Sequence, residues 1–193
     1  KHSLSLFLID NKTIDYYKKI LSNCSLQIRK INLRYFLQGV DLIQKDNPQT
    51  FFVIYIKKEK SYLAFFNKYS FIFFSEFKFG SNIILRDIKK VCIIKTKTVE
   101  NILNKINFDT ISDSDKDKFI EKDLFDSENY KKISKSLVMD VINDRQSEII
   151  NLIYKKNVDL EHFKTFDHKI YLNIEDKDSF KNLENSWNKI FKK

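Results

Sequence analysis

Acid, base and metal-binding side chains occur throughout this sequence, but few stand at a spacing that chemistry would require. The histidines His2, His162 and His168 lie at no metal-ligand spacing from one another or from Cys24 and Cys92, which argues against a zinc site. Asp113, Asp115 and Asp117 alternate as in a calcium loop, yet the turn glycine and the terminal glutamate of such a loop are missing. His162 and His168 have no nucleophile nearby in sequence. Asp87 and Glu148 suit helix capping or partner contacts better than acid–base work. Lys57, Lys58 and Lys60 make a cationic turn. It either holds phosphate by charge or, as the pattern favours, is a solvated lysine turn. From these residues we expect no catalytic group, no cofactor, no metal and no enzyme.

Composition narrows the field further. The 193 residues carry a formal net charge of +9 and are 42% hydrophobic, a globular balance. The charge does not point to nucleic acid. Arginine, the residue of bidentate base and phosphate contacts, occurs only at Arg29, Arg34, Arg86 and Arg145, and the lysines are scattered among acids. An AT-rich coding bias accounts for the lysine, and we expect no nucleic-acid partner. Apolar runs such as Phe71–Phe74 fall far short of the roughly 20 residues of a membrane span. Cys24 and Cys92 sit in apolar contexts and read as buried free thiols of a reducing cytosol. The chain opens on Lys1, and the expectation is that an upstream portion belongs with it.

The elements that would position these residues read as α/β. Leu4–Ile9 suits a strand, Ile14 to Leu21 recurs at helical spacing, Leu26–Leu33 alternates as a second strand, and Tyr35–Ile43 suits a second helix. Beyond Pro48, Phe51–Ile56, Tyr62–Phe66 and Phe71–Phe74 predict an antiparallel meander, with Glu76–Phe79 a fourth segment. Helical periodicity returns around Ile83–Val91 and Val99–Leu103. Asp109–Asn129 reads as a solvated loop or a reduced subdomain. Ser134–Ile153 is the best helix, with Ser134 as cap and Leu137, Val138, Val141, Ile142, Ile149, Leu152 and Ile153 as its apolar face. A strand at Lys169–Ile174 and a helix carrying Phe180, Leu183, Trp187, Ile190 and Phe191 close the chain.

Three stretches bring a family into view. Phe77 to Ile88, in which Gly80 introduces a helix ending Arg86-Asp87-Ile88, resembles a segment of the FtsA-type cell-division proteins that reads x-x-T-x-D-I. Val99-Glu100-Asn101-Ile102 resembles their Ala-Glu-x-Ile motif. Ile133 to Ile150, with Ser134, Lys135, Leu137, Arg145 and Glu148 as landmarks, resembles I-S-R-x-x-L-x-x-I-I-x-x-R-x-x-E-I. The order of elements is similar to that of the actin-like ATPases. The resemblance implies actin-like (ribonuclease H-like) lobes, with residues 1–48 the latter half of a first lobe. Residues 49–193 would then be the second lobe, with a reduced outer subdomain around 107–155.

That resemblance also implies a nucleotide pocket, and here the pocket is degenerate. The family's first phosphate turn, Asp-x-Gly-Gly-Gly-Thr-Thr, corresponds to Tyr55-Ile56-Lys57-Lys58-Glu59-Lys60-Ser61, and its second, Thr-Gly-Gly-Gly, to Asn173-Ile174-Glu175-Asp176-Lys177. Only glycine lets backbone N–H groups approach phosphate closely, and the chain has only Gly39 and Gly80. Glu100 matches the family's adenosine-side acid, but Leu103 stands where a lysine is expected. The expected function is therefore an FtsA-type adaptor, cytoplasmic at the membrane's inner face. It would bind the C-terminal tail of the tubulin-like protein FtsZ through Arg145, Glu148 and Lys135, without nucleotide. The alternative is a weakly active actin-like ATPase of the cell-division or pilus-assembly type. The resemblance admits self-association into protofilaments, and places membrane attachment in segments outside this chain.

Overall fold

A four-stranded sheet ordered β3-β2-β1-β4 organises the computed structural model, which describes residues 8–126, 128–165, 167–175 and 183–191. The strands are β1 (Thr50–Ile56), β2 (Ser61–Asn67), β3 (Ser70–Phe77) and β4 (Lys169–Ile174). β1 to β3 form the expected antiparallel meander, and β4 pairs parallel to β1, Phe51 opposite Lys169 and Ile56 opposite Ile174. Glu76 and Phe77 belong to β3 rather than to a separate strand. A parallel pair needs a long crossover, and everything between β3 and β4 supplies it. Its main elements are α3 (Asn82–Cys92), α4 (Thr96–Lys105), α5 (Asp113–Lys116) and α6 (Lys135–Ile150), the last continuing as a π-turn over Asn151–Lys155. α7 (Glu184–Phe191) follows β4.

Both faces of the central strands are buried, so β1 and β2 read as continuous apolar runs. Phe52, Ile54, Ile56, Leu63 and Phe65 face one core with Ile84, Ile88, Val99, Ile102, Val138, Ile142, Ile149 and Trp187 of the helices. Phe51, Val53, Tyr55, Ala64 and Phe66 face the other, where Tyr35, Leu42 and Ile43 of α2 (Arg34–Asp46) pack on them. Phe51 and Phe66, opposite in register, stack with ring centroids 4.6 Å apart. Gly39 is where α2 meets the sheet, because a Cβ there would collide with the Phe66 ring.

Of the two strands expected in a β-α-β-α opening, Leu26–Leu33 does not form, and Leu4–Ile9 falls mostly outside the described residues. Leu4–Phe7 lies outside the described residues, and Leu8 and Ile9 are exposed coil before α1 (Asn11–Asn23). Leu26–Leu33 is also coil, with Leu26 57% and Ile31 48% exposed. Alternation yields a strand only where another strand offers backbone partners, and none lies beside this segment among the described residues. Cys24 is exposed, contrary to its apolar context, whereas Cys92 is buried. Leu137 in α6 and Leu152 in the π-turn after it are exposed, and Ile150 joins the buried face. The expected Phe180 lies outside the described residues, as does the side chain of Phe191. The acidic insert, Asp109–Asn129, holds more apolar anchors than its composition suggested: Ile120, Leu124 and Phe125 are buried in the first core, as is Phe108 just before it. No helix among the described residues is long and apolar enough to cross a membrane.

Candidate functional site

The carboxyl ends of β1 and β4 point the same way, and such ends are where ligands bind in α/β sheets. The turn after β1 is Lys57–Lys60, and Glu175 follows β4 directly. Both are tied down by the protein itself. The Lys57 N–H donates to the Lys60 carbonyl at 2.9 Å, and the Glu175 N–H donates to the Ile56 carbonyl at 3.0 Å. The first backbone donor of each turn is thus engaged internally.

Gly80 explains how the turn is held from the other side. Its missing side chain lets the start of α3 slide under the turn, because a Cβ would stand 2.8 Å from the Lys58 carbonyl oxygen and closer still to that of Lys57. The Ser81 and Asn82 N–H groups then donate to the Lys57 and Lys58 carbonyls, each at 2.9 Å. A helix N-terminus attracts anions through its free N–H groups and dipole. Here backbone oxygens take that place. The Asn82 side-chain amide and Arg86 also reach Glu59, at 2.5 and 3.9 Å.

Glu175 is the centre of the charged cluster. Its Oε1 accepts from Arg34 Nη2 at 2.8 Å, and its Oε2 faces Lys57 Nζ at 3.2 Å. Lys57 also lies over the rings of Tyr35 and Tyr62, 5.8 and 5.4 Å from their centroids. Burial raises the Tyr35 hydroxyl above its ordinary pKa, with Tyr62 beside it adding to the shift. Burial likewise raises Tyr55, against the pull of Arg34 and with Glu175 adding to it, so both hydroxyls stay neutral at physiological pH. The Tyr55 hydroxyl is fully buried and has no hydrogen-bond partner among the described residues. Lysine-turn charge is therefore partly matched by carboxylates, including Lys60 with Glu76 at 2.6 Å, while Lys58 is exposed.

The remaining expected pocket positions do not join this cluster. Glu100 is exposed on α4, with no hydrogen bond or ion pair among the described residues. Leu103 is a core residue, 3% exposed, which accounts for an apolar side chain where a lysine was looked for. Asp176 and Lys177 lie outside the described residues. Arg34, Tyr35 and Tyr62 were missed by sequence reading. Arg34 stands 141 positions from its partner Glu175, and no local spacing signals such a pair.

On α6 the docking candidates separate. Arg145 makes ion pairs with Glu148 on its own helix and with Asp87 of α3. Glu148 is exposed. Lys135, at the other end of the helix, borders a groove of about 290 Å³ with Lys105, Asp115 and Glu121. A separate cleft of about 570 Å³ runs between α6 and α7 and includes none of these residues except through the helix they share. No group of three or more potential metal ligands occurs among the described residues.

No protein-family model matches the chain, and no curated protein matches it. Among solved structures it is similar to MreB5 of Spiroplasma citri bound to AMPPNP, with a TM-score of 0.55 and 17% identity over 95% of this chain and 65% of that one. MreB5 of Spiroplasma citri bound to ADP gives a TM-score of 0.54 and 18% identity over the same shares. The ethanolamine utilization protein EutJ from Carboxydothermus hydrogenoformans is less similar, with a TM-score of 0.48, 11% identity, and coverage of 81% of this chain and 46% of that one. The fold of the chain is actin-like, and the chain spans 65% of the length of the MreB5 chains it matches.

Proposed function

We propose that this actin-like chain works as a protein-binding adaptor of the FtsA type, at the inner face of the membrane at the division site, and holds no nucleotide. One observation carries the reading. At the carboxyl ends of β1 and β4, Glu175 lies between Arg34 and Lys57, while the turn after β1 gives its carbonyls to α3. A triphosphate there would meet a carboxylate and backbone oxygens in place of N–H donors, and like charges at such range repel. The proposed partner is the C-terminal tail of FtsZ. Support for it comes from the sequence likeness of α6, whose Glu148 is exposed beside Arg145.

A second reading, a weak ATPase, draws on the nucleotides bound to the MreB5 structures. Calorimetry with ATP and magnesium separates the two. The adaptor reading expects no saturable heat at ATP concentrations up to about a millimolar, equivalent to roughly −4 kcal/mol. Saturable binding below that concentration overturns it in favour of the ATPase.

A further inference from the structure

The two oxygens of the Glu175 carboxylate are shared between two cations, one each, from segments far apart in sequence. The backbone of Glu175 is fixed beside β1 by its N–H bond to Ile56, so the carboxylate is delivered to the cations by the sheet itself. Arg34 begins α2, and Lys57 opens the turn after β1, where its backbone N–H donates to the Lys60 carbonyl and its carbonyl accepts from the Ser81 N–H. Tyr55 packs on the Tyr35 ring that Lys57 overlies, with centroids 4.7 Å apart, and its hydroxyl feels the charges of Arg34 and Glu175. The residue is 1% exposed, and the hydroxyl has no hydrogen-bond partner among the described residues. A buried donor left unpaired is costly and points to a group that is not in place.

We infer that Arg34, Lys57 and Tyr55 form a small-oxyanion site that the chain keeps closed with its own Glu175 carboxylate. The inference rests on the proposed function, since it explains how the pocket stays empty of nucleotide, and it adds a ligand class that the closed form excludes. Arg34 offers a planar fork suited to two oxygens of one anion. Lys57 adds a point charge, held over two aromatic rings. A tetrahedral oxyanion has more acceptor oxygens than a carboxylate, so it can serve both cations and still accept from Tyr55. In the wild-type chain the tethered carboxylate competes at high effective concentration, and a free anion loses.

The test uses inorganic pyrophosphate as the probe, measured by calorimetry and by thermal unfolding. Glu175→Gln keeps the shape of the side chain and removes its charge. It is expected to bind pyrophosphate at least tenfold more tightly than the wild type, and to gain a melting-temperature increase that the wild type lacks. Adding Arg34→Gln to Glu175→Gln is expected to return affinity to the wild-type level. Glu161→Gln makes the same charge change on an exposed residue outside this cluster, and should leave pyrophosphate binding unchanged. Glu175→Ser serves as a second opening variant if Glu175→Gln folds poorly. The inference is overturned if folded Glu175→Gln or Glu175→Ser binds no more tightly than wild type. A wild type that already binds pyrophosphate as tightly overturns it too, as does a gain reproduced by Glu161→Gln. Saturable ATP binding by the wild type would strike the adaptor reading instead, and is scored separately.

Discussion

Arg145 on α6 joins Asp87 on α3 across the helix layer, and the same guanidinium holds Glu148 on its own helix. Asp87 is the more buried partner, its side chain 15% exposed against 34% for Arg145. Removing the cation would leave a largely buried carboxylate without its partner, and that cost exceeds the worth of the pair itself. Arg145→Met should therefore lower stability by about 1–3 kcal/mol, below the range for a fully buried pair. Glu148→Gln, which removes the exposed partner, should cost less than about 0.5 kcal/mol. Urea unfolding of both variants checks the order, and equal small losses would show that Arg145 serves only its own helix.

Gly80 carries a second prediction. No side chain fits between the start of α3 and the Lys57–Lys58 carbonyls, and the obstructing atoms are backbone. Gly80→Ala must push the turn and the helix apart, disturbing the two N–H bonds from Ser81 and Asn82. The expected loss is about 1–3 kcal/mol, typical of overpacking. Ser81→Ala keeps the backbone bonds and removes only the 3.3 Å hydroxyl contact to Lys57, so it should cost clearly less. Equal losses in chemical denaturation would show that the turn is not gripped through its backbone.

The sheet was legible in the sequence because β1 and β2 bury both faces, which leaves bounded apolar runs that few other elements produce. Lys169–Ile174 was recovered to the residue. The same logic failed at Leu26–Leu33, where the pattern is right but no neighbouring strand is described. Helix periodicity overreached on α6 and the π-turn that continues it, since Leu137 and Leu152 fit the stripe yet stay 40% and 48% exposed. The Asp109–Asn129 insert misled in the opposite sense, because Ile120, Leu124 and Phe125 follow no single period and are buried by a backbone bond to Ile133 and a short turn. At the candidate site, the loss of glycines was readable. What replaced them was not, since the Arg34–Glu175 pair exists only through the parallel pairing of β1 with β4.

A third prediction concerns pH. Glu128, in the insert, accepts from the Lys95 N–H at 2.7 Å and from the Thr98 hydroxyl at 2.5 Å, and so caps α4 from outside. Burial pushes its carboxyl up, but the bonds from Thr98 and Lys95 and the charges of Lys131 and Lys95 outweigh burial and hold it below the ordinary value. A depressed folded-state pKa means that the unfolded state takes up the proton first. The stability from Glu128 is thus present above the ordinary glutamate pKa and is lost as pH falls through the folded value. Wild type minus Glu128→Gln, measured by denaturation from pH 7 down to the acid limb, should shrink on acidification. A difference that stays constant with pH would exclude the charged cap.

The last prediction addresses the FtsZ-tail surface. Ten residues separate Lys135 from Arg145, which at 3.6 residues per turn leaves them about 80° apart around an ideal helix. Lys135 accordingly borders the groove with Lys105 and Glu121, while Arg145 turns toward Asp87. A peptide gripped at the Arg145–Glu148 end therefore need not reach Lys135. Glu148 is the better probe, because it is exposed and its removal spares the tie between α3 and α6. Glu148→Lys reverses the charge that a basic residue of the tail would meet and leaves two cations one turn apart. It should weaken binding of a synthetic tail peptide at least tenfold, about 1.4 kcal/mol, with urea unfolding showing a folded protein. Lys135→Glu should change affinity less than threefold. Titration of a labelled peptide, followed by fluorescence anisotropy, reads both variants directly. Wild-type affinity in a folded Glu148→Lys variant would remove this end of α6 as the docking surface. A large loss in Lys135→Glu alone would move the site to the groove beside Lys105.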